Sequence, residues 1–310
     1  MQSTHPPTLI KQVTRTLREE CGIGRHDAIL VAVSGGGDSM ALLHVMAGVS
    51  RRLGLRLHAH GVDHGLRVEA PDELALAGRV AERCEVPFSV SRLYLRGGAN
   101  LQARAREARY DALRKAAANV NAGLIATGHH ADDRAETVLL RLLRGAGPRG
   151  LAVLPPRSGM LLRPMIRASR ADVLAHLMRH SVEHADDPSN SDRRFLRVRV
   201  RHELLPLLAS LSPNIVEHLN ALADQLVEEA PPRVLDADGQ VVELGRAQVA
   251  QLRRAQRLGL PGVRVRLPGA RELTVDPATG RISLLGASSP PETSASDRPA
   301  AGKPAPRRPA

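Results

Sequence analysis

Short apolar runs alternate along the first half of the chain with segments in which apolar residues recur at helical spacing. Such runs are typical of strands buried on both faces, and the spaced segments predict helices. Strands are predicted at Ala28–Val33, Leu55–Val62, Phe88–Leu95 and Leu124–Thr127, and helices at Thr8–Glu20, Ser39–Leu53, Glu69–Cys84, Leu101–Val120 and Asp132–Leu143. This alternation predicts an α/β fold with a doubly wound parallel sheet, whose ligands lie beyond the carboxyl ends of the strands.

After residue 145 the pattern becomes mainly helical. We predict helices at Ser169–His180, in an arginine-rich segment ending near Leu211, and at Asn214–Glu229, with Pro231 and Pro232 marking a boundary. Short strands are expected between residues 234 and 285. The predicted domains are residues 1–212 with an Arg-rich helical extension, residues 213–286 with a linking helix and a small C-terminal α+β domain, and a disordered Pro-, Ser- and Ala-rich tail at 287–310.

The chain is basic, with 44 Lys and Arg against 32 Asp and Glu among 310 residues and a formal charge of +12. Such a charge favours a polyanionic partner such as nucleic acid. Compositional bias is an alternative interpretation, because only Lys11, Lys115 and Lys303 are lysines and nearly all the positive charge is arginine. Charge alone leaves both interpretations open.

Neither a membrane segment nor a cysteine site is expected. No stretch approaches roughly 18 consecutive apolar residues, and the N-terminus has no apolar signal region, so we expect a soluble cytoplasmic protein that binds no membrane. Cys21 and Cys84 are far apart and form no Cys-x-x-Cys. Their spacing argues against a disulfide framework, a cysteine zinc site and sulfur transfer by a cysteine pair.

A glycine-rich turn directly follows the first predicted strand. Glycines allow backbone amides to turn inward and form an anion-binding nest, at which the next helix also points its N-terminus. An acid beside phosphates is best explained by Mg²⁺, and the turn lacks the Gly-Lys-Ser/Thr of a Walker A loop. The alternative is an ordinary βα turn. The residues of the predicted phosphate site are Ser34, Gly35, Gly36, Gly37, Asp38 and Ser39.

A second polar cluster, Gly128–Thr137, spans the end of the fourth strand and the start of a helix. It contains His129, Asp132, Asp133 and Glu136, and the last two share a helix face at a spacing of three. Acidic residues in the first turn also cap and stabilise helices, which is the alternative explanation. An ammonium group or Mg²⁺ would satisfy these acids, so we predict part of an active site here.

Basic and polar residues on three further segments complete the set of candidates. Arg106 and Arg109 share one face of a helix, where their guanidinium groups could grip phosphates, although a solvated helix face is the alternative. The segment from His60 to Arg67, which includes Asp63, follows the second strand, where a doubly wound sheet would present backbone to an adenine. The Arg-rich segment 193–206 could follow a nucleic-acid backbone, with Arg197, Arg199 and Arg201 as candidate contacts.

In this order, these segments resemble the tRNA(Ile)-lysidine synthetase family of PP-loop ATP pyrophosphatases over about residues 25–211. The Ser34–Ser39 loop is typical of the whole superfamily. The box at 128–137 and the Asp187–Asn190 segment narrow the resemblance to this family, and the resemblance also includes the Arg-rich segment ending at Pro206.

The resemblance implies a PP-loop (adenine nucleotide α-hydrolase-like) fold and a two-step reaction. ATP adenylates the wobble cytidine of the isoleucine tRNA with a CAU anticodon, and the ε-amine of free L-lysine displaces AMP to give lysidine, which changes the codon from AUG to AUA. It also implies a possible homodimer and a tRNA contact through the C-terminal domain. The implied roles are Asp38 for Mg²⁺; Ser34–Ser39, His60 and Asp63 for ATP; Arg106 and Arg109 for the α-phosphate or nucleotide; His129, Asp133 and Glu136 for lysine; and Arg197, Arg199 and Arg201 for tRNA.

Three positions depart from the family pattern. Arg134 stands where the family usually has an uncharged residue such as Gln, Val198 where Asn is common, and Gln102 where Glu is frequent. Other functions are disfavoured by the residues themselves. A sulfur-inserting relative would need a cysteine pair, an amidotransferase-type synthetase would need a glutaminase domain or an N-terminal cysteine, and a purely RNA-binding protein would not need the acids.

Overall fold

A six-stranded sheet organises the first of two units into which the chain divides, residues 1–230 and 231–310. The computed structural model describes residues 8–65, 69–94, 101–185 and 195–229, together with short segments of the second unit. The strand order is β3-β2-β1-β4-β6-β5. The strands are β1 (Ala28–Val33), β2 (Arg56–Asp63), β3 (Phe88–Arg92), β4 (Leu124–Ala126), β5 (Arg157–Ser158) and β6 (Leu161–Leu162).

The sheet is parallel except at one edge. β1 pairs with β2 and β4, β2 with β3, and β4 with β6 in parallel, whereas β5 is antiparallel to β6. The predicted α/β fold with a parallel sheet is therefore confirmed. The β5–β6 hairpin was not predicted, because two-residue strands are too short to show any periodicity.

All the helices predicted in the first unit are present. The helices are α1 (Leu9–Arg15), α2 (Gly37–Leu53), α3 (Ala70–Arg83), α4 (Leu101–Asn119), α5 (Ala131–Leu142), α6 (Pro148–Leu151), α7 (Arg170–Arg179), α8 (Leu196–Arg199), α9 (Leu205–Leu211) and α10 (Ile215–Glu229). Of these, the four-residue α6 was not predicted, because it lies in a stretch expected to be loop. Two π-helical turns, Thr16–Glu20 and Val200–Leu204, continue α1 and join α8 to α9. Within the described residues no helix is long and apolar enough to span a membrane.

The central strand β1 is buried on both faces, as its continuous apolar run predicts. Ile29, Val31 and Val33 pack into one core with residues of α1, α2, α3 and α7. Leu30 and Ala32 point the other way, into a core shared with α4. Burial of a Leu or Ile side chain contributes about 1.5–3 kcal/mol, so β1 is a strong anchor for the turn that follows it.

The last helix of the first unit, α10, packs on α5 through a third core that includes Leu219 and Ala223. The structural division at residue 230 therefore lies one helix later than the predicted boundary at 212, since the linking helix belongs with the sheet. The division falls at the proline pair, Pro231 and Pro232.

The second unit contains short antiparallel strands. They are β7 (Val234–Leu235) paired with β8 (Val241–Val242), and a sheet of β9 (Arg264–Arg266), β10 (Glu272–Val275) and β11 (Ile282–Leu285). The three strands of this sheet lie where short strands were predicted. The predictions for Arg67, Asp187–Asn190 and the tail at 287–310 fall outside the described residues.

Candidate active site

The glycine turn leaves β1 in a conformation that excludes a side chain at one position. Gly35 has φ +84°, and a β-carbon there would lie 2.6 Å from the carbonyl oxygen of Glu73 on α3. The turn also packs against the second cluster, because a β-carbon at Gly128 would lie 3.0 Å from the Asp38 carbonyl oxygen. These close backbone approaches, rather than flexibility, explain why both positions are glycine.

Ser39 holds the turn together. Its Oγ accepts hydrogen bonds from the Ser34 backbone N–H at 3.0 Å and from the Ser34 hydroxyl at 3.2 Å, and donates to the Gly36 carbonyl at 2.9 Å. The helix α2 begins immediately, at Gly37, with Gly36 as its N-cap. The amides of its first turn lack intrahelical acceptors and so favour an anion at the turn.

Acids from the turn and from the second cluster meet around one histidine at the ends of β1 and β4. His130 is fully buried, and its Nε2 lies 3.7 Å from Asp38 Oδ2 and 3.5 Å from Asp133 Oδ2. Its Nδ1 lies 3.6 Å from Asp132 Oδ2. Neither ring nitrogen makes a hydrogen bond within the described part of the chain. We call Asp38, His130, Asp132 and Asp133 the acidic cluster.

Electrostatics in the acidic cluster favour a cation. Burial alone would lower the pKa of His130, but Asp132, Asp38 and Asp133 outweigh it and raise that pKa to about 10. Burial likewise opposes ionisation of Asp38, yet His130 holds the Asp38 pKa below its usual value. The Asp38 and Asp133 carboxylates offer ligand atoms within 4.8 Å of one another, whereas the protonated His130 ring offers no lone pair to a metal. The two carboxylates suit Mg²⁺, so the residues fit this ion.

The acids predicted to bind lysine contact two of the arginines predicted to bind tRNA. Arg197 lies 3.0 Å from Glu136 Oε2 and 3.1 Å from Asp133 Oδ1. Arg201 lies 2.5 Å from Glu136 Oε1 and 3.3 Å from Asp133 Oδ1. In this structure both arginines therefore face the acids, whereas the sequence predicted nucleic-acid contacts for Arg197, Arg199 and Arg201 together.

Helical spacing explains this division among the arginines. Residues four apart share a face, so Arg197 and Arg201 point inward together and Arg199 points elsewhere. Arg199 is exposed and pairs with Glu203 at 3.1 Å. Glu136, only 1% exposed, depends on the two inward arginines for neutralisation.

Beside these acids, His129 lies in a positive environment. Its Nδ1 is 2.9 Å from the Thr127 hydroxyl, which itself donates to the Leu162 carbonyl, so Nδ1 carries the proton. Burial lowers the pKa of His129 to about 4 against the opposing charge of Asp133, and the charges of Arg163, Arg106 and Arg109 act in the same direction as burial. The ring is therefore neutral with Nε2 available as an acceptor.

Arg106 and Arg109, the residues predicted to bind the α-phosphate or nucleotide, are close enough to His129 for their charges to act on its ring. Arg106 stacks over the Tyr110 ring at 5.4 Å, and burial lowers the pKa of Arg109. Arg163, which the sequence did not single out, adds a third cation; it is 6% exposed and its Nε makes no hydrogen bond among the described residues. This arginine follows β6, a strand too short to be predicted.

The side chains of His60 and Asp63 are engaged within the protein. His60 is 3% exposed, and its two nitrogens lie 2.7 Å and 3.0 Å from the hydroxyls of Ser89 and Ser91 on β3. Asp63 accepts hydrogen bonds from the Gly65 amide and from Arg92. The ATP contact predicted for these two residues stays a prediction, since their side chains already have partners within the protein.

Arg134, a departure from the family pattern, is a buried structural residue. Its side chain has no solvent exposure, lies 2.6 Å from Asp224 on α10 and donates to the Val153 carbonyl at 2.9 Å. Asp224 also pairs with Arg167, which binds Glu20. This chain of charges fixes α10 and the π-turn after α1 against the helix that carries Asp133 and Glu136.

The sequence and fold match known proteins. Residues 7–208 match a family model described as a PP-loop domain. A tRNA(Ile)-lysidine synthase of Thermobifida fusca is 39% identical over 272 residues, covering 84% of this chain and 81% of that protein. One from Pseudomonas fluorescens is 42% identical over 188 residues, covering 59% of this chain and 42% of the relative.

Other comparisons set the extent of the similarity. This chain spans 42–48% of the length of the first curated relatives it matches. The solved structure of a U34-tRNA thiolase from Methanococcus maripaludis, which contains a 4Fe-4S cluster, shares the fold with a TM-score of 0.61 at 18% identity, covering 72% of this chain and 80% of that one. With the PP-loop match over most of the chain and the Thermobifida relative matched along most of its length, the chain belongs to the tRNA(Ile)-lysidine synthase family of PP-loop proteins.

Proposed function

We propose that this chain ligates free L-lysine to the wobble cytidine of the isoleucine tRNA with a CAU anticodon, at the expense of ATP cleaved to AMP and pyrophosphate. The observation that carries the proposal is the meeting of Asp38 and Asp133 around His130. It brings the turn that suits phosphates and the acids that suit an amine to one edge of the sheet, as a two-step transfer requires.

In the first step, the base oxygen of cytidine attacks the α-phosphate of ATP and pyrophosphate leaves. The Ser34–Ser39 turn and the N-terminus of α2 bind the phosphates. Asp38 and Asp133 would hold Mg²⁺, which neutralises negative charge on the departing pyrophosphate. Arg106 and Arg109 stabilise charge at the α-phosphate, a role supported by their position beside His129.

In the second step, the ε-amine of lysine displaces AMP from the adenylated base. Asp133 and Glu136 bind the cationic amine. This role is supported by Arg197 and Arg201, because each places a cationic guanidinium group against the same two carboxylates. The amine attacks in its neutral form, so the bound ammonium group first releases one proton to solvent. His129 Nε2, held neutral and unprotonated, is suited to receive a hydrogen bond from the amine.

The tRNA contacts extend beyond the site. Arg199 is exposed and so remains available to a phosphate, while Arg197 and Arg201 would reach one only by leaving the acids. The second unit is proposed to contact the body of the tRNA, and two copies of the chain to form a homodimer. The basic net charge of +12 supports a polyanionic partner.

The cysteines of this chain do not favour sulfur insertion, the chemistry named for the solved structure with this fold. The chain has two, Cys21 and Cys84. Burial raises the pKa of the Cys21 thiol to about 11, and that thiol contacts the Pro156 carbonyl. A buried, protonated thiol is a poor nucleophile and a poor iron ligand.

The test is an incubation with ATP, labelled lysine and transcripts of both CAU-anticodon tRNAs, isoleucine and methionine. We expect label in the isoleucine tRNA alone. Label in neither transcript would overturn the proposed reaction, and label in the methionine tRNA would overturn the specificity.

Asp38→Ala should abolish tRNA-dependent pyrophosphate release while its circular dichroism stays that of the wild type. Pyrophosphate release at the wild-type rate would refute the role of Asp38.

A further inference from the structure

Three histidines meet between α2 and α7, and none of them belongs to the acidic cluster. His44 lies within α2, while His176 and the C-cap His180 are four residues apart and so share one face of α7. The ring centroids are 5.1 Å apart for His44 and His176, 5.0 Å for His44 and His180, and 4.5 Å for His176 and His180. His44 Nδ1 lies 3.0 Å from His176 Nε2.

These rings have no acidic partner within the described residues: their contacts there are with one another and, for the His180 amide, with the helix backbone. Burial lowers the pKa of His44 and lowers that of His176 to about 4. The charges of Arg51 near His44 and of Arg179 near His176 act in the same direction. Both rings are therefore neutral at pH 7, and neutral imidazole is the form that binds metals.

We propose that His44, His176 and His180 form a binding site for a divalent transition metal of the Zn²⁺, Ni²⁺ and Cu²⁺ class. Two ligands of a tetrahedral Zn²⁺ ion, each at about 2.0–2.1 Å, are ~3.3 Å apart. The 3.0 Å between the nitrogens of His44 and His176 is close to this span. A small separation of the two rings replaces their mutual hydrogen bond by two bonds to the metal.

His180 supplies the third ligand by a side-chain rotation. The ligand atoms of the three rings do not all lie within 4.8 Å of one another, so the set does not converge as it stands. His180 is exposed at the end of α7, so its side chain is less constrained in rotamer than that of the buried His176. Three imidazoles select a transition metal, while the oxygen ligands of the acidic cluster favour Mg²⁺.

A metal here would join the nucleotide turn to the segment behind it. His44 lies on α2, the helix that starts at the glycine turn. The chain after α7 returns to the same turn, where the Ala185 amide donates to the Gly35 carbonyl at 2.9 Å. Cross-linking α2 to α7 therefore braces the turn, and the ion acts as a structural element that stabilises the folded state.

The test uses the untagged full chain, stripped of metal and kept in excess Mg²⁺ so that the acidic cluster does not compete. Zn²⁺ is titrated by calorimetry, thermal unfolding is followed with and without it, and Cu²⁺ is added for electron paramagnetic resonance, which counts coordinated nitrogens. The variants are His180→Ala and His176→Gln. The matched control is His218→Ala, which removes an exposed histidine from α10.

We expect one tight Zn²⁺ per wild-type chain, a rise in Tm on binding, and copper coupled to more than one nitrogen. His180→Ala should weaken Zn²⁺ at least about tenfold and abolish the Tm rise, while His218→Ala behaves as the wild type. Because His180 is exposed, its variant keeps the test valid if His176→Gln does not fold. Unchanged affinity in His180→Ala, absence of tight Zn²⁺ binding, or copper coupled to a single nitrogen would overturn the proposal.

Discussion

Replacing Asp224 by asparagine should destabilise the protein more than replacing Arg134 by glutamine, although both changes break the same ion pair. Asp224→Asn strands a guanidinium that has no solvent exposure and whose Nη2 already lacks a hydrogen bond within the described residues. Arg134→Gln instead leaves a carboxylate that is 30% exposed and still paired with Arg167 at 2.5 Å. Loss of Asp224 therefore leaves a buried charge without compensation, whereas loss of Arg134 leaves a charge that is still paired and partly exposed to water.

The magnitudes follow from what each substitution leaves behind. Removing one partner of a buried ion pair costs about 3–5 kcal/mol when the remaining charge is uncompensated. We expect about 3 kcal/mol for Asp224→Asn, at the low end because Arg134 keeps its bond to the Val153 carbonyl. Arg134→Gln should cost about 1–2 kcal/mol, since its partner keeps a cation and water. The double variant should cost less than the sum, because the second change removes the stranded charge.

Urea unfolding followed by far-ultraviolet circular dichroism measures these differences, since the chain has no Trp and only two Tyr. The midpoint should fall in the order wild type, Arg134→Gln, Asp224→Asn, with unchanged denaturant dependence of the free energy of unfolding. A loss for Asp224→Asn no larger than for Arg134→Gln would refute the reasoning, as would strictly additive losses in the double variant.

Three further outcomes are expected. Gly35→Ala should cost more than ~1 kcal/mol from its positive φ alone, and it should also abolish ATP cleavage because its β-carbon collides with α3. Gly36→Ala, whose β-carbon would have its nearest contact at 4.0 Å, should fold normally. Equal unfolding midpoints of the two variants would contradict this. Burial lowers the pKa of His60, so the contribution of this residue to stability is full above the unfolded pKa of ~6.5 and is lost as the pH falls. His60→Gln should therefore flatten the decline of Tm between pH 7 and pH 5.5. An unchanged decline would count against this reasoning. Arg199→Gln should leave the free energy of unfolding within ~0.5 kcal/mol of the wild type but reduce the salt dependence of tRNA binding by about one charge. Arg201→Gln should chiefly destabilise the folded protein. Unfolding and filter-binding titrations separate the two effects, and the reverse pattern would be evidence against the inward pairing of Arg201.

The sheet and its helices could be predicted because their apolar patterns are long and regular. The strand Ala28–Val33 has the bounds the sequence predicted, since every residue of it packs into one of two cores. The start of α2 was placed two residues late, because Gly37 has low helix propensity yet is held in the first turn by the contacts of Ser39. Side-chain hydrogen bonds of Ser39 within the turn outweighed the low helix propensity of glycine there.

The sequence grouped Asp133 and Glu136 as candidate site residues, and their role in the reaction stays a prediction, but it did not predict which side chains they pair with. Sequence order places Asp133 and Glu136 at the end of a strand, yet it cannot show that Arg197 and Arg201, more than 60 residues later, lie on their carboxylates. His130 was part of the cluster named from the sequence but had no assigned role. Its central position depends on burial between two strand ends, which a linear pattern does not contain.

Pairs that are distant in sequence gave no signal at all. His44 and His176 are separated by 132 residues, and each alone is typical of a helix interior. Arg134 was noted only as a departure from a family pattern, and its partner Asp224 lies 90 residues further along. Such contacts emerge from the packing of α2 on α7 and of α5 on α10, which periodicity does not specify.

The most direct test of the central claim is a nucleoside analysis of the CAU isoleucine tRNA after incubation with the protein, ATP and lysine. Lysidine should appear at the wobble position, with one AMP and one pyrophosphate released for each lysidine formed, and Asp38→Asn should yield none. ATP cleaved without lysidine, cleavage to ADP, or wild-type yield from Asp38→Asn would contradict a single site built from the glycine turn and the acids around His130.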